Sequence, residues 1–157
     1  MSVEVLNESG VDVDERSIAM LADFVLREMS IHPLAELSVL LVDAPHMESL
    51  HQRWMGEPGP TDVLAFPMDE LAASRSPYDD DDEEPEPTLL GDVVLCPQVA
   101  ETQARGAGHS MQEELELLCA HGLLHLLGFD HADEVTEREM FSTQHRLLDS
   151  WRAARPA

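Results

Sequence analysis

The sequence predicts an α+β domain in which about four strands form one mixed sheet packed with helices. Four short segments rich in aliphatic and β-branched residues have the length of strands, and other stretches repeat apolar residues every three or four positions, as amphipathic helices do. A chain of 157 residues suits one domain with one hydrophobic core. We therefore expect a single domain over residues 1–157.

The first part of the chain predicts two pairs of a strand and a helix. Residues 3–6 alternate between apolar and polar side chains, as in a strand, and residues 15–29 carry the apolar stripe of a helix that Asp14 can cap. Residues 37–42 form a continuous apolar run, which suits a strand buried on both faces. A short helix with a proline in its first turn is expected next, over residues 45–55.

The remaining strands lie on either side of a change in composition. Residues 60–67 have a proline at each end, which suits either an edge strand or an extended stretch that lines a cleft. Residues 89–95 resume the sheet, with Gly91 at a bulge or a close approach of two backbones. Helices are expected over residues 97–105 and 135–152.

The segment between these two strands is strongly acidic. From Asp69 to Glu86 it contains nine acidic residues and one base, Arg75. Self-repelling charge with almost no large apolar residues is typical of a disordered loop, so we expect a disordered acidic insertion at about 70–87. The functional alternative is a calcium site, but the segment lacks the glycine and the alternating ligands of an EF-hand loop.

The overall charge and the cysteines exclude several classes of function. The formal charge is −23 and the sequence contains no lysine, which weighs against a broad basic face for duplex nucleic acid, and no DNA partner is expected. A polyanion would have to be bound locally, by a metal ion and a few arginines. Cys96 and Cys119 lack C-x-x-C spacing, so we expect buried apolar residues rather than a disulfide or a thiolate zinc site. Without a signal-peptide or membrane-span pattern, the protein is expected to be cytoplasmic.

Three histidines at metal-ligand spacing are the main functional signal in the sequence. His121 and His125 are four residues apart, so on a helix their rings can converge on one metal ion. Gly128 lets the chain reverse, which can bring His131 over the same face. Three protein ligands leave one tetrahedral position open, as in catalytic zinc sites. The alternative interpretation is that the histidines are incidental to an amphipathic helix.

The helix that carries the first two histidines is expected to be central in the domain. The sequence S-M-Q-E at residues 110–113 is a capping box that fixes its start. The residue after His121 is Gly122, whereas the metzincin proteases with the same histidine spacing carry a glutamate general base there. Asp130 either orients a histidine or a water molecule in the site or is a turn carboxylate without a chemical role.

With these motifs the chain resembles the YbeY family of rRNA maturation factors over nearly its whole length. Residues 121–131, H-G-L-L-H-L-L-G-F-D-H, correspond to the family pattern H-G-x-L-H-L-x-G-[FY]-D-H. The segments P-T-D-V-L-A-F-P at 60–67 and L-G-D-V-V at 90–94 also correspond to segments typical of the family. Members are single-strand-specific, metal-dependent endoribonucleases.

The resemblance implies hydrolysis of RNA phosphodiester bonds in the maturation of the 16S rRNA 3′ end, together with ribosome assembly and quality control. It implies one zinc ion per chain, held by His121, His125 and His131. The expected partners are single-stranded RNA or an rRNA precursor, and the ribosomal small subunit or its assembly proteins. Many members carry an arginine at the position of Met55, so Arg53, two residues away, is the candidate RNA contact here.

Two other functions compete with this interpretation. A non-catalytic ribosome assembly factor would keep the histidines for a stabilising metal ion and would bind RNA or ribosomal protein without cutting. A metallopeptidase would need a general base from elsewhere, because Gly122 cannot supply one.

Overall fold

The computed structural model describes residues 2–68, 88–129 and 133–154. In these residues the chain forms four strands and five helices. The strands are β1 (Ser2–Asn7), β2 (Ala35–Leu41), β3 (Val63–Pro67) and β4 (Thr88–Leu95). The helices are α1 (Glu15–Glu28), α2 (Ala44–Met55), α3 (Pro97–Ala107), α4 (Met111–Leu126) and α5 (Glu134–Ala154). The acidic segment predicted to be disordered lies outside the described residues.

The strands form one mixed sheet in the order β1-β2-β4-β3. β1 pairs with β2 and β2 pairs with β4 in parallel, whereas β3 pairs antiparallel with β4. The predicted α+β class with a four-stranded mixed sheet is therefore confirmed. β3 lies at one edge of the sheet, as one interpretation of residues 60–67 predicted, and at an edge Pro67 is tolerated. Phe66 and Pro67 also line a cavity, so the second interpretation is compatible with the structure.

Side chains on alternate positions of the strands build two apolar layers, one on each face of the sheet. On the first face, the central strands contribute Leu37, Val39, Val93 and Leu95, which pack with α1 and α4. α5 packs against α4 and α1 on the outside of this layer. On the second face, α2 buries Met47 against Leu64 and Val94. α2 is thus separated from α4 by the sheet.

Gly91 combines the two features that its position in the sequence suggested. The register between β2 and β4 shifts there, because Glu36 pairs with Leu89 while Leu37 pairs with Gly91. Gly91 has a φ of +142°, and a Cβ atom on it would collide with the backbone carbonyl oxygen of Phe66 in β3. Only glycine combines this backbone conformation with so close an approach of the edge strand.

Aspartates cap the starts of two helices, and the cap at Asp14 is the one predicted above. The carboxylate of Asp14 accepts a hydrogen bond from the backbone N–H of Ser17 at the start of α1, and Asp43 does the same for His46 at the start of α2. Pro97 begins α3, with Cys96 at the preceding position. Within the described ranges, no helix is long and apolar enough to cross a membrane.

Candidate metal centre

The capping box fixes the start of α4, which carries the first two predicted ligands. The Ser110 hydroxyl accepts a hydrogen bond from the backbone N–H of Glu113, and the Glu113 carboxylate accepts one from the backbone N–H of Ser110. Hydrogen bonds from Ser110, chiefly the backbone one, hold the pKa of the Glu113 carboxyl below its ordinary value. Two of the unpaired donors at the helix start are satisfied in this way.

α4 is buried on several sides, as expected for a central helix. Leu115, Leu123 and Leu124 have no exposed surface, because α1, α3, α5 and the strands β3 and β4 all pack against the helix. Such a helix cannot shift without disturbing the whole first layer of the core. The side chains near its end are therefore held in fixed positions.

Gly122 allows α4 to lie directly on the sheet. A Cβ atom there would be 2.9 Å from Cγ1 of Val93 in β4 and 3.2 Å from Cγ2 of Val63 in β3. Position 122 therefore faces the strands rather than the histidines. A glutamate at this position would be directed into the core, so the structure gives a physical reason for the glycine and weighs against a metallopeptidase site.

His121 and His125 lie together at the C-terminal end of α4. Their Nε2 atoms are 3.2 Å apart, and their rings meet edge to face at 78° with centroids 4.7 Å apart. Two nitrogens that bind one zinc ion at about 2.05 Å with a tetrahedral angle are separated by about 3.3 Å. The pair therefore has the spacing that two imidazole ligands of one zinc ion require.

Gln144 in α5 is a hydrogen-bond partner of His121. Its side-chain oxygen lies 3.0 Å from Nδ1 of His121, and the residue is only 2% exposed. The carboxamide oxygen can accept a hydrogen bond from Nδ1 of His121, and in that tautomer Nε2 of His121 is the acceptor toward His125. Histidines that bind metals commonly donate their second ring N–H to such an oxygen. In that tautomer the unprotonated Nε2 of His121 faces His125.

The chain reverses after His125 as the glycine predicted. The backbone N–H of Gly128 donates to the carbonyl of His125, and that of Phe129 donates to the carbonyl of Leu124. Gly128 has a φ of +98°. This pair of bonds is the Schellman motif, which closes a helix with a left-handed residue. The next residues, including Asp130 and the predicted third ligand His131, lie outside the described part of the chain, so their roles stay predictions.

Of the predicted site residues, the structure thus describes His121 and His125 but not Asp130 or His131. Among the residues that the structure describes, no three His, Cys, Asp or Glu side chains form a metal-binding group. Cys119 lies on the same helix but is fully buried, and burial raises the pKa of its thiol to about 12. Burial likewise raises the pKa of Cys96. Metal-binding cysteines are thiolates, so both thiols behave as the apolar residues expected from the sequence.

The candidate RNA contact Arg53 lies at the end of α2, on the other face of the sheet from the histidines. Its guanidinium carbon is 5.4 Å from the ring centroid of Trp54, which is 59% exposed and packs edge to face on Phe66. Met55 is 55% exposed. Met55 is therefore not a core residue, and the structure does not place Arg53 or Met55 in contact with the histidine pair.

Two residues beside His121 were missed in the sequence. Gln144 interrupts the buried stripe of α5, formed by Met140, Leu147, Leu148 and Trp151. A polar residue at core spacing is a usable signal, but the sequence does not say which partner it finds. Phe141 stacks on His121 with ring centroids 6.1 Å apart and an angle of 25°. Both contacts depend on how α5 docks on α4, which periodicity does not determine.

Comparison with known proteins identifies the family. The model of a protein family described as "Endoribonuclease YbeY" matches residues 4–152. The chain belongs to the endoribonuclease YbeY family. It is 64% identical over 155 residues to the endoribonuclease YbeY of Acidothermus cellulolyticus, covering 99% of this chain and 94% of the relative. It is 59% identical to that of Thermobifida fusca, covering 97% and 95%.

The fold of this YbeY family member also resembles a solved structure. The solution structure of TM1509 from Thermotoga maritima superposes with a TM-score of 0.59 at 24% identity, covering 96% of this chain and 92% of that chain. At that identity the likeness concerns the fold alone. It supports the arrangement of sheet and helices that positions the histidine pair.

Proposed function

We propose that this protein is a zinc-dependent endoribonuclease that cuts single-stranded RNA. The observation that carries the proposal is the pair of Nε2 atoms 3.2 Å apart at the end of α4, in a chain whose relatives are named endoribonucleases. The resemblance that the sequence motifs carry extends the proposal to the maturation of the 16S rRNA 3′ end and to ribosome assembly and quality control. An rRNA precursor, the ribosomal small subunit and assembly proteins are the partners that this role requires, in the cytoplasm.

The ligands in this proposal are His121, His125 and His131, with one zinc ion per chain. Imidazole nitrogens suit zinc, and three protein ligands leave a position open for chemistry. A zinc ion held there would acidify a water molecule and offset the charge that develops on a phosphoryl oxygen. This chemistry does not depend on a glutamate after His121, and Gly122 is therefore compatible with it.

The protein itself contributes the positions of the ligands. Gln144 holds the His121 ring through a contact with Nδ1, and the core packing of α4 prevents the helix from rotating. Phe141 covers one side of the His121 ring. Asp130, next to His131 in the sequence, is the candidate for orienting a histidine or the attacking water, and Arg53 is the candidate contact for RNA beyond the site.

The test compares metal-loaded and chelated protein on RNA of known structure. We expect the loaded protein to cut unstructured RNA, to spare a stable hairpin stem and to leave casein intact. His125→Ala should lose both zinc and cleavage, because two remaining ligands cannot close a tetrahedral site. His145→Ala is the matched control, since His145 is an exposed histidine on α5.

The same experiment separates the competing functions. RNA binding and zinc-dependent stability without cleavage would indicate the non-catalytic assembly factor. Near-stoichiometric zinc in the His125→Ala protein would refute the ligand set. Cleavage of casein but not of RNA would indicate a peptidase and refute the proposal.

A further inference from the structure

Phe141 is an exposed aromatic residue beside a predicted metal ligand. It is 37% exposed, while its neighbour Met140 on the buried side of α5 has no exposed surface. Its ring stacks on His121, at an angle of 25°. Burial in the core therefore does not explain why an aromatic residue occupies position 141. The exposed part of its ring is an aromatic surface next to the proposed site of cleavage.

Phe141 lines a depression on the protein surface together with one arginine. The depression has a volume of about 670 Å³ and is lined by Glu134, Glu137, Arg138, Phe141 and Ser142. This volume is within the range of roughly 300–1,000 Å³ that is typical of small-ligand sites. Phe141 follows Arg138 by three residues, so the two side chains are neighbours on one side of α5.

Among the described residues that line this depression, Arg138 is the only cation. The whole sequence has nine Lys and Arg residues against 32 Asp and Glu residues, so a cation in the same depression as Phe141 is uncommon in this protein. Glu134 and Glu137 would repel a phosphate group. A phosphate that enters the depression is therefore attracted to the guanidinium, while the aromatic ring offers a surface for an uncharged group.

We propose that Phe141 and Arg138 form a nucleotide subsite, in which a nucleobase of the RNA stacks on Phe141 and an adjacent phosphate binds Arg138. The proposal rests on the proposed endoribonuclease function and adds the means of substrate recognition. An aromatic side chain stacks on any base without reading its sequence. In a duplex the bases are paired and stacked on each other, so the ring could not reach them. The subsite thus gives a physical basis for a preference for single strands.

The first test measures single-turnover cleavage of a short unstructured RNA at increasing concentrations of zinc-loaded protein. This design separates the half-saturating concentration, which reports binding, from the maximal rate. Phe141→Leu keeps an apolar side chain over His121 but removes the ring. We expect its half-saturating concentration to rise roughly 5- to 100-fold, with unchanged zinc content. Val135→Ala, which shortens another exposed apolar side chain of α5, is the control and should have no effect.

Arg138→Gln should weaken binding and reduce the slope of log affinity against log salt by roughly 0.7, the value for one phosphate contact with a single strand. Arg146→Gln is the matched control, because Arg146 is also exposed on α5 but does not line the depression. Equal salt slopes for the two variants would overturn the role of Arg138.

The decisive test uses RNAs in which one nucleotide at a time lacks its base. If a base stacks on Phe141, one abasic position should weaken binding of the wild type, and the same change should have little further effect on Phe141→Leu. If the effects of the abasic nucleotide and of Phe141→Leu on binding add at every position, the subsite is refuted. Loss of zinc in Phe141→Leu would also refute it, because the ring would then only support the metal ligand His121. Failure of the wild type itself to bind or cut RNA would instead refute the proposed function, and the subsite with it.

Discussion

The close contact between α4 and the sheet predicts how the protein responds to a single methyl group at Gly122. In Gly122→Ala the new Cβ atom would be 2.9 Å from Cγ1 of Val93 and 3.2 Å from Cγ2 of Val63. Val93 has no exposed surface and lies on the central strand β4. Its β-branched side chain has restricted χ1 freedom and is surrounded by core residues, so we expect the helix or the strand to move.

The expected loss of stability follows from two opposing effects. Extra volume in a packed core costs about 1–3 kcal/mol. Replacing glycine by alanine inside a helix raises the free energy of unfolding by about 1 kcal/mol, because alanine loses less conformational freedom on folding. Gly122→Ala should therefore destabilise the fold by about 0–2 kcal/mol. Gly106→Ala is the control, since Gly106 lies in α3 and a Cβ there meets no atom within 4 Å.

The difference between the two alanine variants isolates the contact with the sheet. We expect Gly122→Ala to be less stable than Gly106→Ala by about 1–3 kcal/mol, which corresponds to roughly 2–12 °C in the melting temperature for a chain of this size. Urea and thermal unfolding of the chelated proteins measure this without a contribution from metal binding. Equal stability of the two variants would mean that α4 does not approach β3 and β4 as closely as described.

Three further predictions concern the support of the site. Gln144→Leu should weaken zinc binding roughly 10- to 100-fold, because His121 loses the hydrogen-bond acceptor for its Nδ1 proton. Competition with a chromophoric chelator measures the zinc affinity, and an unchanged affinity would contradict the role of Gln144. Ser110→Ala should lower the free energy of unfolding by about 1 kcal/mol. Since the pKa of Glu113 is lowered in the folded protein, the stability that its charge contributes should be lost as the pH falls below about 4.5. Acid should therefore destabilise the wild type more than Glu113→Gln in urea titrations. Finally, the raised pKa of Cys119, about 12, predicts that this thiol does not react with a disulfide reagent at pH 8 until the protein unfolds; rapid labelling of the native protein would refute its burial.

Much of the fold follows from local patterns in the sequence. The apolar stripe of α1, the capping box of α4 and the glycine after His125 each depend on interactions between residues a few positions apart, and the structure contains all of them. The bulge or close backbone approach at Gly91 was also predictable, because a glycine inside a strand pattern usually marks one of the two.

The order of the strands and the surroundings of the histidines depend on contacts between distant residues. β4 lies between β2 and β3 although β3 precedes it in the chain, and nothing local to these segments specifies that order. Gln144 is 23 residues from His121 in sequence, and its role appears only when α5 packs on α4. The reason for Gly122 is equally non-local, since it depends on valines from two different strands.

The two faces of the sheet constrain any substrate that contacts both the histidines and Arg53. α4 carries the histidines on the first face, while α2 carries Arg53 on the second, and the faces meet at the edge strand β3. Within the described residues β3 pairs only with β4, so its other side is an edge. A nucleic acid duplex is stiff over roughly 150 base pairs and cannot bend sharply around one strand. A single strand can, so contact with both groups would itself select for single-stranded RNA, independently of base stacking on Phe141.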